Sequence, residues 1–181
     1  KADCKPTIAS LSLQKANKHF TWGSLANMTR SHQSTADLLS DRDLLILASN
    51  WRDEGREVAL AFVMRTWGSA PRQAGAVMIV DKDMHIAGSV SGGCIEGAVI
   101  EAALNSMETG KGEQLKFGVA DETAWSVGLS CGGEITILLT PITDSGLPAA
   151  TLKKMAALCA ARQPLRITFD AQSGVAGQLE S

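Results

Sequence analysis

Residues 58–81 read VALAFVMRTWGSAPRQAGAVMIVD. Two continuously apolar runs, 58–64 and 77–80, flank a segment broken by Gly68, Ser69 and Pro71. Runs with no polar alternation fit strands covered on both faces, so helices are expected on either side of the sheet they build. Working toward the amino terminus, Ser40 and Asp43 have capping-box spacing, and Leu44, Leu47, Ala48 and Trp51 follow as one helical face. Gly55 closes that helix.

Toward the carboxyl terminus, residues 81–83 predict a turn and 85–90 the returning arm of a hairpin. From Cys94 to residue 107 the period turns helical, with Ile100, Ala103, Leu104 and Met107 on one face and Gly110 as the stop. Residues 114–119 predict a short strand. Residues 134–140 alternate, with Ile135, Ile137 and Leu139 to one side. Pro148 opens a last helix whose inner stripe is Leu152, Met155, Ala156 and Cys159, and Leu165, Ile167 and Phe169 mark a final strand. The expected fold is α+β, a mixed β-sheet with helices packed on it. Residues 1–35 are expected to form a poorly structured polar extension, with a short helix or strand near 11–20, and residues 36–181 the domain. No internal repeat is present.

A chain of 181 residues with 45% hydrophobic and 20% charged residues can bury a substantial core. A net charge of −2 supplies no basic field for nucleic acid or for anionic membranes. No apolar run has bilayer length and no secretory h-region opens the chain, so a cytoplasmic location is expected. Of the four cysteines, Cys159 falls on a helix's apolar stripe and Cys4 in a polar terminus; Cys94 and Cys131 have unusual neighbours.

Three segments depart from good local propensity, as segments kept for something other than packing do. RTWGSAPRQAGA (65–76) turns through Gly68 and Ser69 and places Arg72 just beyond, a bidentate donor for phosphate or carboxylate, or simply a solvated turn arginine. SVSGGCIEG (89–97) puts Ser91, Gly92 and Gly93 between a strand and a helix, with Cys94 in the helix's first turn. Free amides there suit an anion, and the helix dipole makes the sulfur a better nucleophile and soft-metal ligand. Glu96 caps the helix or accepts from a ligand's ring nitrogen; a plain turn with a small buried cysteine is the alternative. GLSCGG (128–133) sets Cys131 beside Gly132. Cys94 and Cys131 bracket one site, pair, or do not meet. A closed zinc site is not expected, since His85 alone lies nearby in sequence. Walker, dinucleotide and nucleophile-elbow fingerprints are absent.

Taken together, RTWGSAPRQAGA, GSVSGGCIEGAVIEAA and GVADETAWSVGLSCGGEITILLTPI resemble, in order and approximate spacing, the motifs of the XdhC/CoxI family of xanthine dehydrogenase accessory factors. The resemblance runs from about residue 44 to 142, more weakly to 169. It implies an accessory protein, not a catalyst, that binds and shields molybdenum cofactor. Such a protein holds the cofactor while a cysteine desulfurase supplies the sulfido ligand, and helps insert it into an apo-form molybdenum hydroxylase such as xanthine dehydrogenase. The long family form continues into a Rossmann-like domain, for which no glycine-rich fingerprint appears here. A homodimer is among the assemblies expected.

On that footing the residues take candidate roles. Ser69, Arg72, Gly92 and Gly93 are set for the pterin's phosphate, Glu96 for its polar edge, and Cys94 or Cys131 for the metal and dithiolene, with Ser91 and Gly132 completing the set. Two other classes remain open: a thiol-dependent enzyme or sulfur carrier using Cys94, and a ligand-free interaction module.

Overall fold

In chain order the protein forms β1 (His19–Gly23), α1 (Asp41–Asp53), β2 (Val58–Trp67), β3 (Val77–Asp81), β4 (Ile86–Gly88), α2 (Glu96–Thr109), β5 (Glu113–Phe117), β6 (Glu134–Pro141), α3 (Ala149–Ala160), β7 (Arg166–Asp170) and β8 (Ala176–Glu180). The computed structural model describes residues 19–23, 39–68, 72–118 and 133–181.

A five-stranded sheet in the order β4-β3-β2-β6-β5 carries the fold, and a three-stranded sheet, β1-β7-β8, stands apart from it. Every ladder among the described residues is antiparallel. This is the expected α+β arrangement of helices on a sheet, reached without parallel crossovers.

β2 is buried from Val58 to Met64 because both of its faces are covered. Val58, Leu60, Phe62 and Met64 enter one core with α1, α3 and β7. Ala59, Ala61 and Val63 enter the other, beneath Val99, Ala103 and Met107 of α2. The small alanines on that side let the helix approach closely. Each large side chain so buried contributes about 1.5–3 kcal/mol. Phe62 also meets Phe169 with ring centroids 5.3 Å apart, which joins the small sheet to the first core.

The local signals behave as the sequence predicts. Ser40 and Asp43 form a reciprocal capping box, and Gly110 closes α2 in the left-handed conformation. Cys159 is a core residue, 3% exposed, whose thiol burial pushes to a higher pKa. Two elements add to the sequence reading: β1, inside the amino-terminal extension, pairs with β7, and β8 extends the same sheet.

Gly88 fixes where the chain leaves the sheet. Its φ is +77°, and a Cβ there would lie 2.3 Å from the Val77 carbonyl oxygen and 2.6 Å from Leu44 Cδ1. Only glycine fits a position both left-handed and so crowded.

Candidate functional site

Ladder register brings the strand ends that border the three irregular segments to one end of the large sheet. β2 ends at Trp67 opposite Glu134, the first residue of β6. β5 ends at Phe117 opposite Ile135, and β4 ends at Gly88 opposite Met78 near the start of β3. The segments that follow β2, β4 and β5 therefore all leave from the same edge. The amino termini of α1 and α2 lie there too: Asp41 accepts a hydrogen bond from the Val77 amide at 3.1 Å, and α2 begins directly after the loop that follows β4. Ser69, Cys131 and Gly132, with Asp121 and Trp125, fall outside the described residues. Arg72, Ser91, Gly92, Gly93, Cys94 and Glu96 fall within them.

The loop between β4 and α2 is organised around Glu96. Its carboxylate turns back from the first position of the helix and gathers donors from the preceding residues. The Ser89 hydroxyl donates to Oε1 at 2.6 Å, and the Ser91 amide to the same oxygen at 2.9 Å. The Gly92 amide reaches Oε1 at 3.1 Å, while the Gly93 amide reaches Oε2 at 2.8 Å. The Ser91 hydroxyl also donates to Oε2, and its oxygen accepts from the Cys94 and Ile95 amides, each at 3.1 Å. Gly92 and Gly93 have φ of 79° and 117°, which aims successive amides at one centre. A Cβ on Gly93 would meet nothing within 4 Å, so this position needs glycine for its dihedral and not for room.

Two expectations change here. The helix begins at Glu96 with Ile95 as its cap, so Cys94 lies ahead of the first turn and not inside it. Gly92 and Gly93, at positive φ, and Ile95, at φ −123°, keep the chain out of helical conformation until Glu96. The Gly92 and Gly93 amides, expected from the sequence to serve a ligand's phosphate, donate to Glu96. That carboxylate is a loop organiser and not an outward acceptor. The pattern of Ser89, Ser91 and two glycines ahead of an acid is the signal that could reveal it.

Burial alone raises the Glu96 pKa, but the hydroxyls of Ser89 and Ser91 and the loop amides outweigh it and hold the group at about 2. It is an anion held by uncharged donors.

Arg72 joins this loop from a distant part of the sequence. Its Nε donates to the Ser89 carbonyl at 3.2 Å, which places the guanidinium beside the Glu96-centred turn. Asp41, which no motif in the sequence singles out, is a neighbour. Burial raises its pKa, opposed by the Val77 amide and the Arg72 charge. Cys94 is half-buried in the same turn. Arg72 and Cys94 thus belong to one region.

Two surface cavities lie elsewhere. One of about 500 Å³ is lined by Asn105, Thr109, Lys111, Gly112 and Glu113 at the far end of α2. Another of about 160 Å³ is lined by Arg52, Glu57, Val58, Met107, Ile142 and Thr143.

Residues 51–118 match the model of the XdhC and CoxI family. The molybdenum cofactor insertion chaperone PaoD of Escherichia coli (strain K12) is 30% identical over 145 residues, which cover 78% of this chain and 44% of that protein. A probable xanthine dehydrogenase subunit from Bacillus subtilis (strain 168) is 32% identical over 94 residues, 51% of this chain and 28% of that protein. Among solved structures, a xanthine dehydrogenase from Bacillus halodurans superposes with a TM-score of 0.55 at 27% identity, covering 67% of this chain and 36% of that one. The chain spans less than half the length of each of these relatives.

Proposed function

Because this chain belongs to the XdhC and CoxI family, we propose that it is a molybdenum-cofactor-binding chaperone that assists sulfuration and insertion of the cofactor into a molybdenum hydroxylase such as xanthine dehydrogenase. The observation that carries this reading is the bond from Arg72 to the Ser89 carbonyl, which sets a cationic fork beside the glycine–cysteine turn. A guanidinium and a sulfur on one turn suit a phosphorylated metal pterin, while the loop's amides and hydroxyls are taken by the Glu96 carboxylate that fixes the turn.

In this reading Arg72 meets the phosphate, with its Nε bond orienting the guanidinium so that the opposite edge faces the anion. Cys94 offers a soft sulfur to the metal and dithiolene. Glu96 acts on the ligand indirectly, by fixing the turn that carries both Ser91 and Cys94. When bound, the cofactor supplies the molybdenum chemistry of the recipient enzyme; this chain retains and shields it. The partners are an apo-hydroxylase and a cysteine desulfurase, met in the cytoplasm, with a second copy of the chain as a further candidate. No helix among the described residues is long and apolar enough to cross a membrane.

Incubation of the purified protein with molybdenum cofactor under reducing, anaerobic conditions, followed by gel filtration, tests this reading. Molybdenum and pterin are expected to co-elute with the protein in near-stoichiometric amounts, and Cys94→Ser is expected to weaken retention without abolishing it. A wild-type protein that elutes free of both sets the chaperone aside. If Cys94→Ser keeps the cofactor at wild-type levels yet abolishes sulfur transfer, the sulfur carrier replaces it.

A further inference from the structure

Among the described residues Trp67 is the most exposed of the large hydrophobic side chains, at 64%, although it ends a strand that is buried from Val58 to Met64. A tryptophan left open forgoes a large burial gain, so its position asks for a contact partner. Three observations say what kind.

The register of β2 against β6 slips between Val63 and Arg65, a bulge that re-aims the residues beyond it. Past the bulge, Trp67 pairs directly with Glu134, which is also exposed. Side chains opposite one another in an antiparallel ladder project from the same face, with Cβ atoms about 5 Å apart. An indole face and a carboxylate therefore stand side by side. Glu134 in turn lies against Gly118, where a Cβ would come within 2.9 Å of its Cγ, so the glycine leaves room for that acid.

The pair stands at the sheet end that carries Arg72 and the Ser89–Glu96 turn. Val63 bonds the chain just beyond Arg72, through the backbone of Gly75 and Ala76. Trp67 is four residues farther along β2, about 13 Å at the ordinary strand rise. Trp67 and the Arg72 segment therefore stand at the same end of the sheet, where an elongated ligand with an anion at one end and a flat ring at the other would lie.

We propose that Trp67 and Glu134 are the ring end of the cofactor site. The indole stacks on the planar pterin, and the Glu134 carboxylate accepts hydrogen bonds from the amino group and ring N–H of its pyrimidine edge, while Arg72 holds the phosphate end. The proposal rests on the function argued above and adds to it the residues that select a pterin over a bare phosphate or a free molybdenum oxyanion. A partner protein seated on Trp67 is the competing occupant.

The test measures binding of molybdenum cofactor to the isolated protein, anaerobically and with no partner protein present, for wild type, Trp67→Phe, Trp67→Ala and Glu134→Gln, each with its thermal unfolding midpoint. Trp67→Ala is expected to weaken binding by about tenfold or more, in line with aromatic stacking on a nucleobase, and Trp67→Phe to keep most of it. Glu134→Gln is expected to weaken binding severalfold, because a carboxamide cannot offer two acceptors to two donors. Wild-type binding by both Trp67→Ala and Glu134→Gln, with the wild type itself loaded, overturns this proposal and leaves the chaperone standing, with Trp67 then free for a protein partner. A wild type that takes up no cofactor overturns both.

Discussion

The β3–β4 hairpin has a sequestered carboxylate near each end, and the two are held in opposite ways. At the turn, Asp81 is 1% exposed and is covered by the groups that bond it. Arg56 pairs with it through Nη2, His85 approaches at 3.0 Å through Nδ1, and the His85 amide donates at 2.8 Å. Burial opposes these contacts, yet the His85 bonds and the Arg56 charge hold the Asp81 pKa below the usual range. Arg56 also lies 4.2 Å over the Trp51 ring, which ties α1 to the hairpin. Asp83 completes a triad with Asp81 and His85 whose ligand atoms lie within 4.8 Å of one another, but the guanidinium already neutralises its buried member.

At the open end, the described residues meet Glu96 with hydroxyls and amides. Its charge is spread over dipoles and not cancelled by a cation. The contrast separates a charge-matched pin from a turn that spreads its charge over dipoles. A carboxylate with a matched cation fastens two elements, whereas a carboxylate in a ring of neutral donors marks a turn shaped for anions in general.

Replacement of Glu96 disturbs the open end most severely. Glu96→Ala leaves the Ser91 hydroxyl and the loop amides without their acceptor and is expected to cost about 2–3 kcal/mol in urea unfolding. Phosphate in the buffer is expected to restore part of that loss, by occupying the vacated turn. The same variant reports on pH. A group lowered from 4.5 to about 2 contributes its full stabilisation above pH 4.5 and loses it as pH falls toward 2. After solvent screening that contribution is on the order of 1–2 kcal/mol. Wild-type stability is therefore expected to decline over this acid range more steeply than that of Glu96→Ala. Parallel curves would show that Glu96 does not hold the turn together.

Asp81→Asn probes the other end with a smaller effect. The substitution strips Arg56 of its full counter-charge, but Arg56 is 24% exposed and water compensates in part. A loss of about 1–2 kcal/mol is expected, below the 3–5 kcal/mol of a wholly buried pair. Phosphate is expected to restore none of it, since an anion has no vacated nest to enter. Recovery in phosphate equal to that of Glu96→Ala erases the distinction between the two ends.

Much of this architecture can be read from local sequence. The Ser40–Asp43 box, the Gly110 stop, Pro148 ahead of α3 and the double-faced burial of β2 each depend on residues a few positions apart. The small sheet does not. β1 pairs with β7 across most of the chain, and β8, AGQLE, has too little apolar alternation to announce a strand. At the site, Cys94, the glycine pair and Arg72 stand out by type, but Arg72 meets Ser89 across seventeen residues that no local pattern spans. Glu96 stands out as well, yet its direction does not, because an acid at the start of a helix points equally well to a ligand or back to its own loop. Trp67 and Glu134 carry no signal of their own. Their pairing depends on a bulge, and nothing in the order of side chains predicts one.

Cofactor retention in two variants, one at each end of the hairpin, decides whether the open end is the binding end. Arg72→Gln and His85→Ala are loaded anaerobically with molybdenum cofactor beside the wild type, and bound molybdenum and pterin are counted after gel filtration. Loss of most of the cofactor from Arg72→Gln, with wild-type occupancy in His85→Ala, is the predicted result. Equal retention in the two variants, or loss confined to His85→Ala, contradicts it.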